Sequence, residues 1–170
     1  MTAANSVNFS TCDLCDAHKG SEPDVLRVLP PVFQNYGGVS KFSGPVVTVK
    51  CFEDNTSVKL AVDLPGNGCV LVVDGGESLR YALLGGNLGA AAAANGWAGV
   101  VINGCVRDLA ELSGCHVGIR ALGAIPSPTQ KRSEGQTGIA IQIQGQWIKP
   151  GEWLYADEDG MVVLPSPLVA

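Results

Sequence analysis

The stretch CVLVVDGGESLRYALLGGNLGAAAAANGWAGVVINGCVRDLAE, residues 69–111, decides the architecture. It opens on a short continuous apolar run, 69–73, of the kind carried by strands buried on both faces. A second such run, AGVVING (98–104), closes it. Between them, ESLRYALLGG (77–86) has a helical composition, and NLGAAAAANGW (87–97) is an alanine-rich helix with Asn95-Gly96 as its stop. Strand, helix and strand in that order predict a parallel unit with a right-handed crossover. RDLAELSG (107–114) predicts a short helix ended by Gly114, and VGIRALGAIP (117–126) a further strand.

Outward from this centre the signals change. TCDLCDAH (11–18) predicts a first helix capped by Ser10 or Thr11. GPVVTVKCF (44–52) reads as a strand after a Gly-Pro turn. EDNTSVKLAVDLPGNG (53–68) reads as a helix or irregular segment ending at Pro65-Gly66. Beyond Pro128 apolar residues alternate and glycines and prolines punctuate, so the remainder reads as β-rich, with QIQGQWI (142–148) as a hairpin. The expectation is one α/β domain over residues 1–170, a layered mixed β-sheet with flanking helices.

The composition, 46% hydrophobic and 16% charged, is that of a globular chain. The net charge is −5 and the chain has no Lys/Arg run, which disfavours nucleic acid as a partner. No apolar run approaches the roughly 18 residues of a membrane span. Residues 1–12 are polar and carry no signal-peptide pattern, so the expected compartment is the cytoplasm. The six cysteines read as reduced thiols. Cys12 and Cys15, with His18, form at most half a zinc site, and one buried helical face is the simpler account of them. His18 and His116 lack a partner pattern and read as structural. ADEDG (156–160) lacks the spacing of a calcium loop and reads as an acidic turn.

Ligands of open α/β sheets bind at the carboxyl ends of strands. Two such ends lead to Gly85, Gly86, Asn87 and Leu88 and to Arg107 and Asp108. The glycine-rich start of the alanine helix could offer backbone N–H groups to an anion, or be only a packing turn. It is neither a Walker loop nor a dinucleotide fingerprint. Arg107 can grip a carboxylate through two parallel bonds. Asp108 offers a hard oxygen to Mg²⁺ or Mn²⁺, and Glu111, three residues on, shares its helix face. The competing account is a solvated, salt-bridged helix start.

These residues stand in a wider pattern. NYGGVSKFSGPVVTVKCFEDN, VLVVDGG, GWAGVVINGCVRD, AIPSPTQK and LYADEDGMVVLP occur in the order found in the RraA-like family, and the chain resembles it over nearly its whole length. That family includes metal-dependent 4-hydroxy-4-methyl-2-oxoglutarate aldolases and regulators of ribonuclease activity. The resemblance implies an RraA-like α/β/α sandwich, assembled as homotrimers that sometimes pair into hexamers. It implies that Gly85, Gly86, Asn87 and Leu88 hold the carboxylate of a small 2-oxo acid. Arg107 would contact substrate as the catalytic residue, and Asp108, with Glu111, would hold a divalent cation, Mg²⁺ or Mn²⁺. The better-defined aldolases carry an acidic residue where this chain has Gly86, and Glu111 is the candidate to replace it. The implied activity is aldol cleavage to pyruvate with oxaloacetate decarboxylation. The alternative is a non-catalytic regulator that binds a protein partner.

Overall fold

The computed structural model describes residues 7–169, so half of the polar stretch 1–12 lies outside the described residues. The chain runs through α1 (Thr11–Ala17), β1 (Arg27–Val28), β2 (Gln34–Asn35), β3 (Phe42–Lys50), α2 (Thr56–Val62), β4 (Val70–Asp74), β5 (Ala82–Leu84), α3 (Gly86–Ala94), β6 (Gly99–Val106), α4 (Leu109–Ser113) and β7 (Gly118–Ala124). It continues through β8 (Gln136–Thr137), β9 (Ile141–Ile143), β10 (Gln146–Ile148), β11 (Trp153–Ala156) and β12 (Met161–Leu164).

Every residue of β4 and β6 is buried, as their unbroken apolar runs demand. β3, β4, β6 and β7 pair in parallel, in register Val46↔Val70, Val70↔Gly99 and Gly99↔Gly118. The sheet continues antiparallel through β11, β12 and β1 on one side and β2 on the other. One face carries Val49, Leu71, Val73, Val100 and Ile102 beneath α2, α3 and α4. The other turns Val46, Val70, Val72 and Val101 toward the hairpin β9–β10 and the inner side of β11 and β12. α1 covers the outer side of β11 and β12 through Leu14, Tyr155 and Val162. The result is the layered mixed sheet with helices outside it. The predicted hairpin is present, and its two turn residues, Gln144 and Gly145, have φ of 47° and 78°, as a tight hairpin requires.

Two expectations fail. ESLRYALLGG is not helical: residues 77–81 form a loop and Ala82–Leu84 is a strand parallel to β6. All three strand residues are buried, so sheet pairing overrides their helical propensity. Nor do Cys12 and Cys15 share a buried face, since Cys12 is exposed and Cys15 half-buried. The buried residues of α1 are Thr11 and Leu14. Thr11 sets this rotation, because its backbone N–H and hydroxyl both donate to Asp157, at 2.7 and 2.6 Å. Asp157 is thereby the centre of the acidic turn, where it also accepts from Asp159 N. His18 closes α1 with a ring nitrogen 2.7 Å from the Leu14 carbonyl. No described helix is long and apolar enough to cross a membrane.

Two contacts fix the frame around the strand ends. The ring of Phe42 lies against paired Gly99 and Gly118, where a Cβ on either glycine would collide with it. The fully buried Asp54 accepts from Thr56 N and Oγ1 at 2.9 and 2.6 Å, and from Arg132 N and Glu134 N at 2.7 and 3.1 Å. It therefore joins the start of α2 to the strap 126–137. Burial pushes its carboxyl upward, but the hydrogen bonds from Thr56, Glu134 and Arg132 outweigh burial and hold it at about 2.

Gly118→Ala is expected to lower stability by about 1–3 kcal/mol in urea unfolding, with Phe42→Leu in the same chain recovering part of the loss. Asp54→Ala should cost on the order of 2–4 kcal/mol at neutral pH, because four donors lose their acceptor. The folded carboxyl of Asp54 titrates below its ordinary 3.8, so its stabilisation is complete above that value and is lost as pH falls toward about 2. The gap between wild type and Asp54→Ala should close over that window.

Candidate active site

The carboxyl ends of the parallel strands open into a cleft of about 210 Å³. One wall holds Gly85, Gly86, Asn87, Leu88, Arg107 and Asp108, and the other holds Asn55 and Lys59 of the α2 region with Pro128, Thr129 and Lys131 of the strap. β5 delivers the glycines and β6 delivers the arginine, and Arg107 N donates to Leu84 O at 3.0 Å across that boundary. The strand ends named from sequence are thus brought together, with β5 rather than a helix as the element before Gly85.

Asp108 is the pivot. Its backbone is left-handed, with φ 59° and ψ 49°, a conformation an aspartate tolerates at a cost of about 1 kcal/mol or more. That turn lets its carbonyl accept from Leu112 N at 2.9 Å, starting α4, while its carboxylate swings back to accept from Gly86 N at 2.9 Å. Gly86 opens α3, so one of the free N–H groups of that helix is already occupied. The N–H groups of Asn87 and Leu88 have no acceptor among the described residues and remain for a ligand. Arg107 Nε lies 3.8 Å from Asp108 Oδ2, and both side chains are about two-fifths exposed. Arg107 also donates to the Pro126 carbonyl at 3.4 Å.

Glu111 comes to the same place from α4. A Cβ placed on Gly86 would fall on the Glu111 carboxylate, and one placed on Gly85 would lie 2.6 Å from Asp108 Oδ2. Two carboxylates therefore sit over two adjacent glycines, in space that side chains there would fill. This suits a hard divalent cation, which takes one or two protein carboxylates and completes its shell with water and substrate oxygens. Among the described residues no cluster of three or more His, Cys, Asp or Glu could form an all-protein cage. His18 and His116 stand elsewhere, and His116 lines a second cavity at the amino ends of the strands. That cavity, about 900 Å³, is walled largely by Phe9, Phe42, Trp97, Trp153 and Tyr155 and brings no carboxylates together.

Sequence reading missed the second wall. Asn55, Lys59, Thr129 and Lys131 come from segments about seventy residues apart, joined by the bond from Thr129 Oγ1 to Asn55 Oδ1 at 2.9 Å and by Asp54. The pairing of β8 with β3 and the bridge from Pro128 to Ala82 help bring the strap there, and a two-residue strand leaves no periodicity to read.

Comparison with known proteins bears on the ancestry of the chain. The profile of the RraA-like family, described as Aldolase/RraA, matches residues 11–163. A protein of Albidiferax ferrireducens, named "Putative 4-hydroxy-4-methyl-2-oxoglutarate aldolase", is 65% identical over 95% of this chain and 98% of its own. The solved structure of the RNA-processing inhibitor RraA from Thermus thermophilis superposes with a TM-score of 0.90 at 42% identity, covering 96% of each chain. A Geobacillus kaustophilus structure titled as an S-adenosylmethionine:2-dimethylmenaquinone methyltransferase does so at 0.88 and 42%, covering 94% of this chain and 97% of its own. The three names differ in activity while the folds agree, so they speak to ancestry before chemistry. On sequence and on fold alike, the chain belongs to the RraA-like family.

Proposed function

We propose that the protein is a lyase that cleaves 4-hydroxy-2-oxo acids of the 4-hydroxy-4-methyl-2-oxoglutarate type to pyruvate, and that it decarboxylates oxaloacetate at the same site. The observation that carries this reading is the convergence in one cleft of Arg107, the Asp108 carboxylate and the unused N–H groups of Asn87 and Leu88, with the Glu111 carboxylate packed against Gly86 beside them. The name borne by the Albidiferax relative supports it.

The chemistry follows from those groups. The N–H groups at the start of α3 receive the substrate's 1-carboxylate, where the helix favours negative charge. Arg107 then lies beside the 2-oxo oxygen. In the cleavage the C3–C4 bond breaks, its electron pair passes into the enolate of pyruvate, C4 becomes a carbonyl as its hydroxyl gives its proton to water, and the enolate then takes a proton from water at C3 to give pyruvate. Decarboxylation of oxaloacetate reaches the same enolate by losing CO₂ from C3. Arg107 stabilises the negative charge that grows on the 2-oxygen in both reactions. A divalent cation held by Asp108 with Glu111, Mg²⁺ or Mn²⁺, would supply a second positive charge for that oxygen. The bond from Gly86 N fixes the Asp108 carboxylate before substrate arrives, so little reorganisation remains.

A second reading has one observation behind it, the Thermus structure titled as an RNA-processing inhibitor. In that reading the protein binds a ribonuclease and the cleft performs no chemistry.

Pyruvate-coupled assays with oxaloacetate and a 4-hydroxy-2-oxo acid separate the two. Arg107→Lys keeps the charge but loses the planar fork, and kcat/KM should fall on the order of 10- to 100-fold. Asp108→Asn keeps the turn and removes the charge, and turnover should be lost, as it should be in excess chelator. Undiminished rates in both variants would leave the regulator reading standing. The seat of the carboxylate over Gly86 gives a sharper expectation. Gly86→Asp alone crowds Glu111 and should lower activity, whereas Gly86→Asp with Glu111→Ala should restore it. If the double variant is no better than the single one, Glu111 does not stand in for the missing acidic residue.

A further inference from the structure

We propose that the cavity at the amino ends of the strands binds an aromatic carboxylate of two or more fused rings, with Lys41 as the cation that meets its carboxylate. This site is separate from the cleft, and no residue lines both.

Its size sets the class of ligand. At about 900 Å³ the cavity falls within the ~300–1,000 Å³ of sites for drug-sized ligands, whereas the cleft of about 210 Å³ does not. Its walls are aromatic. Five of the chain's ten phenylalanine, tyrosine and tryptophan side chains meet here: Phe9, Phe42, Trp97, Trp153 and Tyr155. They are already held in place. Phe42 is wedged against Gly99 and Gly118, and Trp97 Nε1 donates to Leu64 O at 3.1 Å. Phe9 meets Tyr155 edge to face at 5.1 Å between ring centroids, and Trp153 stacks on Tyr155 at 6.2 Å. Trp153 is half-buried, so part of its indole stays open to a further ring. Fixed walls lose little freedom when a ligand enters.

The charges set its sign. The chain has 16 acidic residues against 11 Lys and Arg, yet no acidic residue lines this cavity, while Lys41 and His116 do. Lys41 has no ion-pair partner among the described residues. Its ammonium lies 4.8 Å from the Phe9 ring centroid, at one end of the row Phe9, Tyr155 and Trp153. A carboxylate at Lys41 therefore carries an attached ring system along that row. Tyr155 adds a donor. Its Oη accepts from Leu168 N at 2.8 Å, and its own hydrogen has no acceptor among the described residues. Aromatic walls alone would also suit a cation, but Lys41 already takes the face of Phe9 and repels one. What remains is a flat anion, stacked on the rings and paired with the ammonium.

The test is titration calorimetry on the full chain with 2-naphthoate and its uncharged counterpart 2-naphthamide, at low, fixed ionic strength. The wild type should bind both, the naphthoate about three- to tenfold more tightly. Lys41→Met should erase that preference and leave naphthamide affinity within about twofold of wild type. Lys41 is exposed, so its loss does not threaten folding. Trp153→Leu should weaken both probes by about two- to tenfold. Arg107→Met, in the cleft at the other end of the strands, should change neither. Failure of both probes to bind would overturn the proposal, and is the result expected if another copy of the chain covers this face. Equal affinities in the wild type would overturn it too, as would a preference for naphthoate that survives in Lys41→Met, whether or not Trp153→Leu folds. Loss of naphthoate binding in Arg107→Met would place the probe in the cleft and overturn it as well.

Discussion

β4 and β6 are sealed from water on both faces, and that constraint organises everything around them. A strand with helices over one face and strands over the other cannot present a charged side chain along its length without a partner. The one buried amide in β6, Asn103, has such a partner, accepting from Gln144 Nε2 of the β9–β10 turn at 2.9 Å. Charge can emerge only where the strand leaves the sheet. Arg107 and Asp108 are the first two residues beyond the end of β6, and the chain bends there through the left-handed backbone of Asp108. The arginine and two carboxylates that follow so apolar a run are therefore the necessary exit of a buried strand, turned to use.

The same seal explains what could be read from sequence. Two-sided burial writes unbroken apolar runs, so β4 and β6 stand out. The alanine helix with its Asn95-Gly96 stop stands out equally, and together these dictate the parallel core. β5 does not stand out. ESLRYALL has the residues of a helix, and only the free edge beside the end of β6 makes a strand of Ala82–Leu84. The two cysteines of α1 mislead for a related reason. Helical spacing says which residues share a face, but the bonds from Thr11 to Asp157, 146 positions away, say which face turns inward.

At the site, the legible half is the half made by neighbours in sequence. Arg107, Asp108 and Glu111 lie within one turn and a half of chain, so their spacing announces a shared direction. That Glu111 rests over Gly86 is a tertiary fact, although the resemblance to the family pointed to it. The opposite wall was illegible because it depends on Asp54. An aspartate between Glu53 and Asn55 looks like any loop carboxylate, and nothing local shows that its four donors come from two segments nearly eighty residues apart.

The way these walls are held bears on how such a site can change over evolutionary time. The scaffold contacts run from carboxylates to backbone N–H groups: Asp54 to the strap, Asp108 to the start of α3, Asp157 to the start of α1. A backbone N–H is present whatever side chain stands there, proline excepted. Residues 130–134 can therefore be replaced one at a time while the strap keeps its course, and the far wall of the cleft can drift from one charge pattern to another with the near wall undisturbed. A single shape can in this way pass between substrates, or lose them, without passing through an unfolded ancestor.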